Sequence, residues 1–113
     1  MDLKFGKNAK ALREAANSED STLLLRLYPQ NAEMIMLALQ VLRAARNLND
    51  VMAFSVFRPH ALLKDKKDIF SKSVGGRKRL IIKTLDRDGK VMKRVDFSST
   101  YGLVVKVSEH YGD

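Results

Sequence analysis

Ile69-Phe70-Ser71-Lys72-Ser73-Val74-Gly75-Gly76-Arg77-Lys78-Arg79-Leu80-Ile81-Ile82-Lys83-Thr84-Leu85 holds two short apolar runs around a pair of glycines. Such runs, parted by Gly-Gly, predict a β-hairpin over residues 69–74 and 77–85, because glycine reaches the positive φ angles of a tight turn without a Cβ clash. A second turn follows at Asp86-Arg87-Asp88-Gly89, and residues 90–97 read as a further strand. Ser98-Ser99-Thr100 reads as a polar loop. From Leu103 to Ser108 the residues alternate, with Leu103, Val105 and Val107 expected on one face and Val104, Lys106 and Ser108 on the other.

Upstream the period changes from two to that of a helix. Residues 8–16 are rich in Ala, Leu and Lys, which are good helix formers. Asn17-Ser18 interrupts them, and Ser18 before Glu19 and Asp20 reads as a new N-cap. Leu23, Leu24 and Leu27 form an apolar face, and Tyr28-Pro29 marks a boundary. Ile35, Ala38, Leu39 and Leu42 recur at helical spacing between Pro29 and Ala45, with Arg46 and Asn47 at the C-terminal end. Met34 and Met36 read as core filling. Phe5 closes a short extended start, and residues 47–55 read as a loop or short turn. The expectation is an α+β fold, with an N-terminal helical hairpin packed on a small antiparallel sheet. It would be one domain over residues 1–113, with 1–55 mainly helical and 56–113 mainly β.

Charge divides along the same line. Residues 1–56 hold seven Lys and Arg against six Asp and Glu, and residues 57–113 hold fourteen against seven. An excess gathered in one half is the footprint expected for a polyanion partner, although a solvated basic surface carries the same charge. No apolar run is long enough to cross a membrane, and no secretory signal is visible, so a cytoplasmic location is expected. Cysteine is absent, which excludes thiol nucleophiles, disulfides and cysteine-bound zinc. The two histidines, His60 and His110, lack His-Glu-x-x-His spacing. Gly75-Gly76 lacks the phosphate-loop pattern, and no serine nucleophile elbow is present. Neither a metal nor a cofactor is expected.

RNA cleavage without a metal needs a base for the ribose 2′-hydroxyl, an acid for the departing 5′-oxygen, and cations around the phosphoryl oxygens. The second half supplies imidazoles at His60 and His110, a carboxylate at Glu109 and a phenol at Tyr111. Cations stand at Lys64, Lys66, Lys67, Arg77, Lys78 and Arg79. If the last strand continues, its alternation puts His110 with Lys106 and Ser108, and Tyr111 on the apolar face. Each of these residues alone also fits a bystander or a core aromatic.

The order of several short segments resembles the RelE/ParE superfamily of type II toxins, in its HigB-like or plasmid maintenance killer branch. The segments are Leu37 to Leu42 followed by Ala44-Ala45-Arg46-Asn47-Leu48, and His60 with Leu62, Lys64-Asp65-Lys66 and Phe70-Ser71. Arg79-Leu80-Ile81-Ile82 and the ending Ser108-Glu109-His110-Tyr111 complete the set, which covers nearly the whole chain. The chain departs from the pattern where relatives place Lys-Gly-Asp, having Leu63-Lys64-Asp65, and its terminal His and Tyr are in reversed order.

The resemblance implies a RelE-like fold and a ribosome-dependent mRNA endonuclease, silenced by an antitoxin and acting on mRNA in the 70S ribosome. His60 then falls at a catalytic position, and Arg79 at the scissile phosphate. Glu109, His110 and Tyr111 form the acid/base group, and Lys64, Lys66 and Lys67 match the basic stretch that meets RNA; Arg77 and Lys78 are expected RNA contacts from their charge alone. Two alternatives remain open: a ParE-like toxin that inhibits gyrase by binding, and a basic RNA-binding module without catalysis.

Overall fold

The computed structural model describes residues 1–18, 20–53 and 68–109. These residues form a mixed α/β structure of four helices and a four-stranded open sheet. In chain order the elements are β1 (Asp2–Phe5), α1 (Lys10–Asn17), α2 (Thr22–Leu27), α3 (Ala32–Ala44), α4 (Leu48–Met52), β2 (Phe70–Ser73), β3 (Arg79–Thr84) and β4 (Tyr101–Ser108). The strand order is β1-β4-β3-β2.

The hairpin forms where the Gly-Gly pair predicts it, with Phe70 opposite Ile82 and Ser73 opposite Arg79. β4 pairs antiparallel to the other side of β3. The sheet is not wholly antiparallel, because the extended start becomes β1 and lies parallel to β4. Its direction follows from the chain path: the Gly6 amide donates to the Val104 carbonyl, and the chain then turns into α1, which lies against β1.

One face of the sheet is buried under the helices. Leu12, Leu24, Ile35, Leu42, Leu48 and Val51 share a core with Phe70, Leu80, Ile82 and Val104. The spacing predicted for α3 is the spacing observed, with Ile35, Ala38, Leu39 and Leu42 all buried. Met34 and Met36 pack partly buried against the same core, as expected.

The structure corrects four local expectations. Ser18 is not the cap of α2; the Asp20 carboxylate accepts from the Thr22 amide at 3.1 Å instead. Asn47 ends no helix but starts one, its side chain accepting from the Asp50 amide at 3.1 Å, so α4 stands where a loop was expected. Residues 90–97 form no strand beyond an isolated bridge between Leu85 and Val91. β4 pairs along one edge of β3 and β2 fills the other as far as Ile82, so the segment returning from the second turn meets β3 only at its end, where the Met92 amide donates to the Thr84 carbonyl at 2.9 Å.

The fourth correction concerns β4. A bulge between Ile81 and Ile82 breaks the register, so that Lys106 pairs with Ile81 but Val104 with Ile82. Val104 and Val107 both pack toward the helices, and the clean alternation expected from Leu103 to Ser108 is lost at Val105.

Candidate nucleic-acid interface

The β2–β3 turn is fixed from two sides. Within it, the Val74 amide donates to the Lys78 carbonyl at 3.1 Å and the Lys78 amide to the Gly75 carbonyl at 3.2 Å. From outside, the Asn31 side-chain amide donates to the Val74 and Gly75 carbonyls, both at 3.0 Å. Gly75 has φ of +108°, and a Cβ there would stand 2.8 Å from the Asn31 amide nitrogen, so glycine is required twice over. The result is a rigid turn that presents Arg77, Lys78 and Arg79 in succession.

Strand alternation sends the last two of these to opposite sides. Arg79 lies on the face away from the helices, where its Nε donates to the Ser71 hydroxyl at 2.7 Å and its Nη2 to the Ser71 carbonyl at 3.3 Å. Ser71 is buried and Arg79 half-buried, so the guanidinium is held in one orientation by the neighbouring strand. Ser73 and Ser108 flank Arg79 in the register. Lys106 lies opposite Ile81 on the same face, and Lys83 lies opposite Leu103, which in turn lies opposite Lys4. Among the described residues this face carries Lys4, Arg79, Lys83 and Lys106 against Asp2 and Asp68, the latter 3.8 Å from Lys83.

On the helix side, Lys78 pairs with Glu109 at 3.7 Å. The charge of Glu109 reaches the Tyr28 phenol, whose pKa is raised first by burial and then by this carboxylate. Lys72 shares the alternation of Phe70, faces the core opposite Leu80 and is fully buried. Burial lowers its pKa from 10.5 to about 8.

Of the residues predicted for function, Arg77, Lys78, Arg79 and Glu109 lie in the described part. His60, Lys64, Lys66, Lys67, His110 and Tyr111 lie outside the described residues. The fold brings Glu109 to Lys78, about thirty positions away in sequence, as the ion pair shows. It does not bring Glu109 to the guanidinium of Arg79: Arg79 reaches Ser71 on one face, while Glu109 reaches Lys78 and Tyr28 on the other. Sequence reasoning missed Tyr28 and Lys72. Tyr28 registered only as a helix boundary before Pro29, and its approach to β4 depends on long-range packing. Lys72 did carry a signal, since the predicted hairpin already placed it on the face of Phe70 and Val74.

An arginine held this way has the chemistry to bind an anion such as phosphate. Arginine stays charged and offers a planar fork of donors, and one already oriented by Ser71 loses little further freedom on binding. Among the described residues no group of three or more Asp, Glu and His is placed to hold a metal ion. No described helix is long and apolar enough to cross a membrane. In comparisons with known proteins, the chain matches no protein-family model and no curated sequence.

Proposed function

We propose that the chain is a RelE-like, HigB-type toxin that cleaves mRNA on the ribosome in the cytoplasm and is held silent by an antitoxin. The observation that carries this reading is Arg79, fixed on Ser71 and registered opposite Ser108, one residue before Glu109 and two before His110. In sequence, the carboxylate Glu109, the imidazole His110 and the phenol Tyr111 follow directly on Ser108. The cations Arg77, Lys78 and Lys106 crowd the same end of the sheet and would stabilise charge building on the phosphoryl oxygens. In this reading the 2′-hydroxyl is the nucleophile, so no metal is used. His60 and His110 are the candidates for proton transfer, with Lys64, Lys66 and Lys67 as further RNA contacts.

The test is induction of the chain without an antitoxin, followed by mapping of mRNA 5′ ends. Growth arrest with new ends in translated messages is expected. Arg79→Ala should lower cleavage at least about 100-fold while the protein stays folded, by analogy with the loss of one oriented transition-state donor. Undamaged transcripts at high expression would overturn the proposal.

One observation favours the non-catalytic alternative. Glu109 is held by Lys78 on the helix side, away from the Arg79 guanidinium. A pure RNA-binding module would need no carboxylate at Arg79, and it would show strong salt dependence with no cut ends.

A further inference from the structure

Tyr28 borders a cavity of about 140 Å³ between the β1–α1 connection, α2 and the end of β4. Leu12, Leu23, Leu27 and Val107 give it apolar walls. Leu27 is 54% exposed, so this apolar surface continues out of the cavity beside the half-buried tyrosine ring. Lys7 and Lys10 stand at its rim. Lys10 is paired with Glu14 at 3.9 Å, and both ends of that pair are partly exposed. Lys78 approaches from the sheet through Glu109, whose charge acts on Tyr28. Among the described residues the local charges are therefore three lysines against two glutamates, around the Tyr28 ring and a concave apolar wall.

We propose that this cavity is a base-binding subsite: it takes one unpaired nucleobase of single-stranded RNA, stacked on Tyr28, with the adjoining phosphates on Lys7 and Lys78. The inference rests on the RNA reading above and extends it to a residue outside the predicted site. Aromatic rings bordered by cations are the common chemistry of single-strand recognition, because every base has a π-face and every linkage carries a negative charge. The placement fits the split at the end of the sheet. Arg79 and Glu109 stand on opposite faces at the ends of neighbouring strands, so RNA bound at Arg79 reaches the Tyr28 side by passing around the hairpin end at Arg77 and Lys78. A duplex could not supply the unpaired base, since its bases are stacked and paired.

The test uses a short single-stranded oligoribonucleotide, 2′-O-methylated so that it cannot be cut and carrying 2-aminopurine. Binding to the full chain is followed by 2-aminopurine quenching and by protein NMR. The expected result is quenching on binding, with shifts at the Leu23, Leu27 and Val107 methyl groups and at the Tyr28 ring. Tyr28→Leu should weaken binding about tenfold, and Tyr28→Phe should stay within about twofold, since the ring and not the hydroxyl does the stacking. Lys7→Ala, at an exposed position that packing does not constrain, should lower the salt slope by about one. Methyl shifts confined to Ile81, Leu103 and Val105 on the other sheet face would overturn the proposal, as would wild-type affinity in folded Tyr28→Leu. Failure of the wild type to bind the probe would overturn it too. Shifts at the Tyr28 cavity, together with an unmethylated probe that stays intact on ribosomes, would support the subsite and overturn the cleavage reading alone.

Discussion

Two turns in this chain carry strong turn residues in the sequence and end differently. Gly75-Gly76 closes a hairpin whose two strands are buried in the sheet, whereas Asp86 to Gly89 opens a segment that makes one isolated bridge. Both turns are locally sound. The Asp86 carboxylate accepts from the Asp88 and Lys90 amides, both at 2.9 Å, and Gly89 adopts φ of +83°. The difference lies in what surrounds them. The first turn returns the chain to an open edge, over an apolar face that the helices then cover. The second returns it to a strand whose edge β2 already fills as far as Ile82, so its residues reach β3 only at its Thr84 end. They are held there by the Asp96 amide on the Thr84 hydroxyl at 3.0 Å and by Phe97 edge-on to Phe70 at 6.3 Å. Turn chemistry permits a hairpin, and a free edge with an apolar face decides whether one forms.

The largest effect expected from this comparison is at Phe70, which is fully buried in the hairpin and touches both regions. Phe70→Ala should destabilise the fold by about 3–5 kcal/mol, because the cavity is ringed by β3 and the helices and cannot collapse. Urea unfolding measures this directly. A loss below about 1 kcal/mol would mean that the hairpin is not the centre of the core.

Lys72 comes next, through its dependence on pH. Its pKa is lowered from 10.5 to about 8 by burial, so between those values the unfolded chain binds more protons than the folded one. Stability from this group therefore rises as pH climbs from about 8 to about 10.5, and below that window the full penalty applies. Lys72→Met should flatten this alkaline rise, which urea unfolding at a series of pH values measures. A rise of the same size in the variant would show that another group titrates in that window.

These positions show which layers of the fold were legible. The hairpin, α3 and the basic half could be read because each is coded by neighbours: a turn pair, a 3.6-residue period, a local excess of Lys and Arg. β1's parallel pairing, the bulge at Val105 and the failed strand after residue 90 could not, because each depends on which edge of which distant strand is free. The site divides in the same way. Arg79 and Lys78 were found as members of a cationic run. That they face opposite sides is a consequence of alternation within β3. That Glu109 joins Lys78 near Tyr28 depends on three separate elements meeting.

Asn31 tests the link between the hairpin and the helical layer. Its side-chain amide serves two carbonyls of the turn and is itself buried. Asn31→Ala should cost about 1–2 kcal/mol, since it takes a donor from the buried Val74 carbonyl and leaves the Gly75 carbonyl with the Lys78 amide alone. The sharper readout is amide exchange at Val74 and Lys78, the two amides bonded within the turn, which should accelerate in the variant while α3 stays protected. Unchanged exchange there would show that the turn's own hydrogen bonds suffice.

The smallest effect is expected where the sequence predicted a strand and none formed. Val91 is 47% exposed and makes the isolated bridge to Leu85. Val91→Ser removes a β-branched side chain that a true strand would need, yet it should change stability by no more than about 0.5 kcal/mol, as for an ordinary surface site. The same change in a paired strand buried on one face would expose the difference at once, since it trades packed apolar area for an alcohol. A loss above about 1.5 kcal/mol at Val91 would mean that residues 90–97 contribute as a strand does, and the contrast between the two turns would fail.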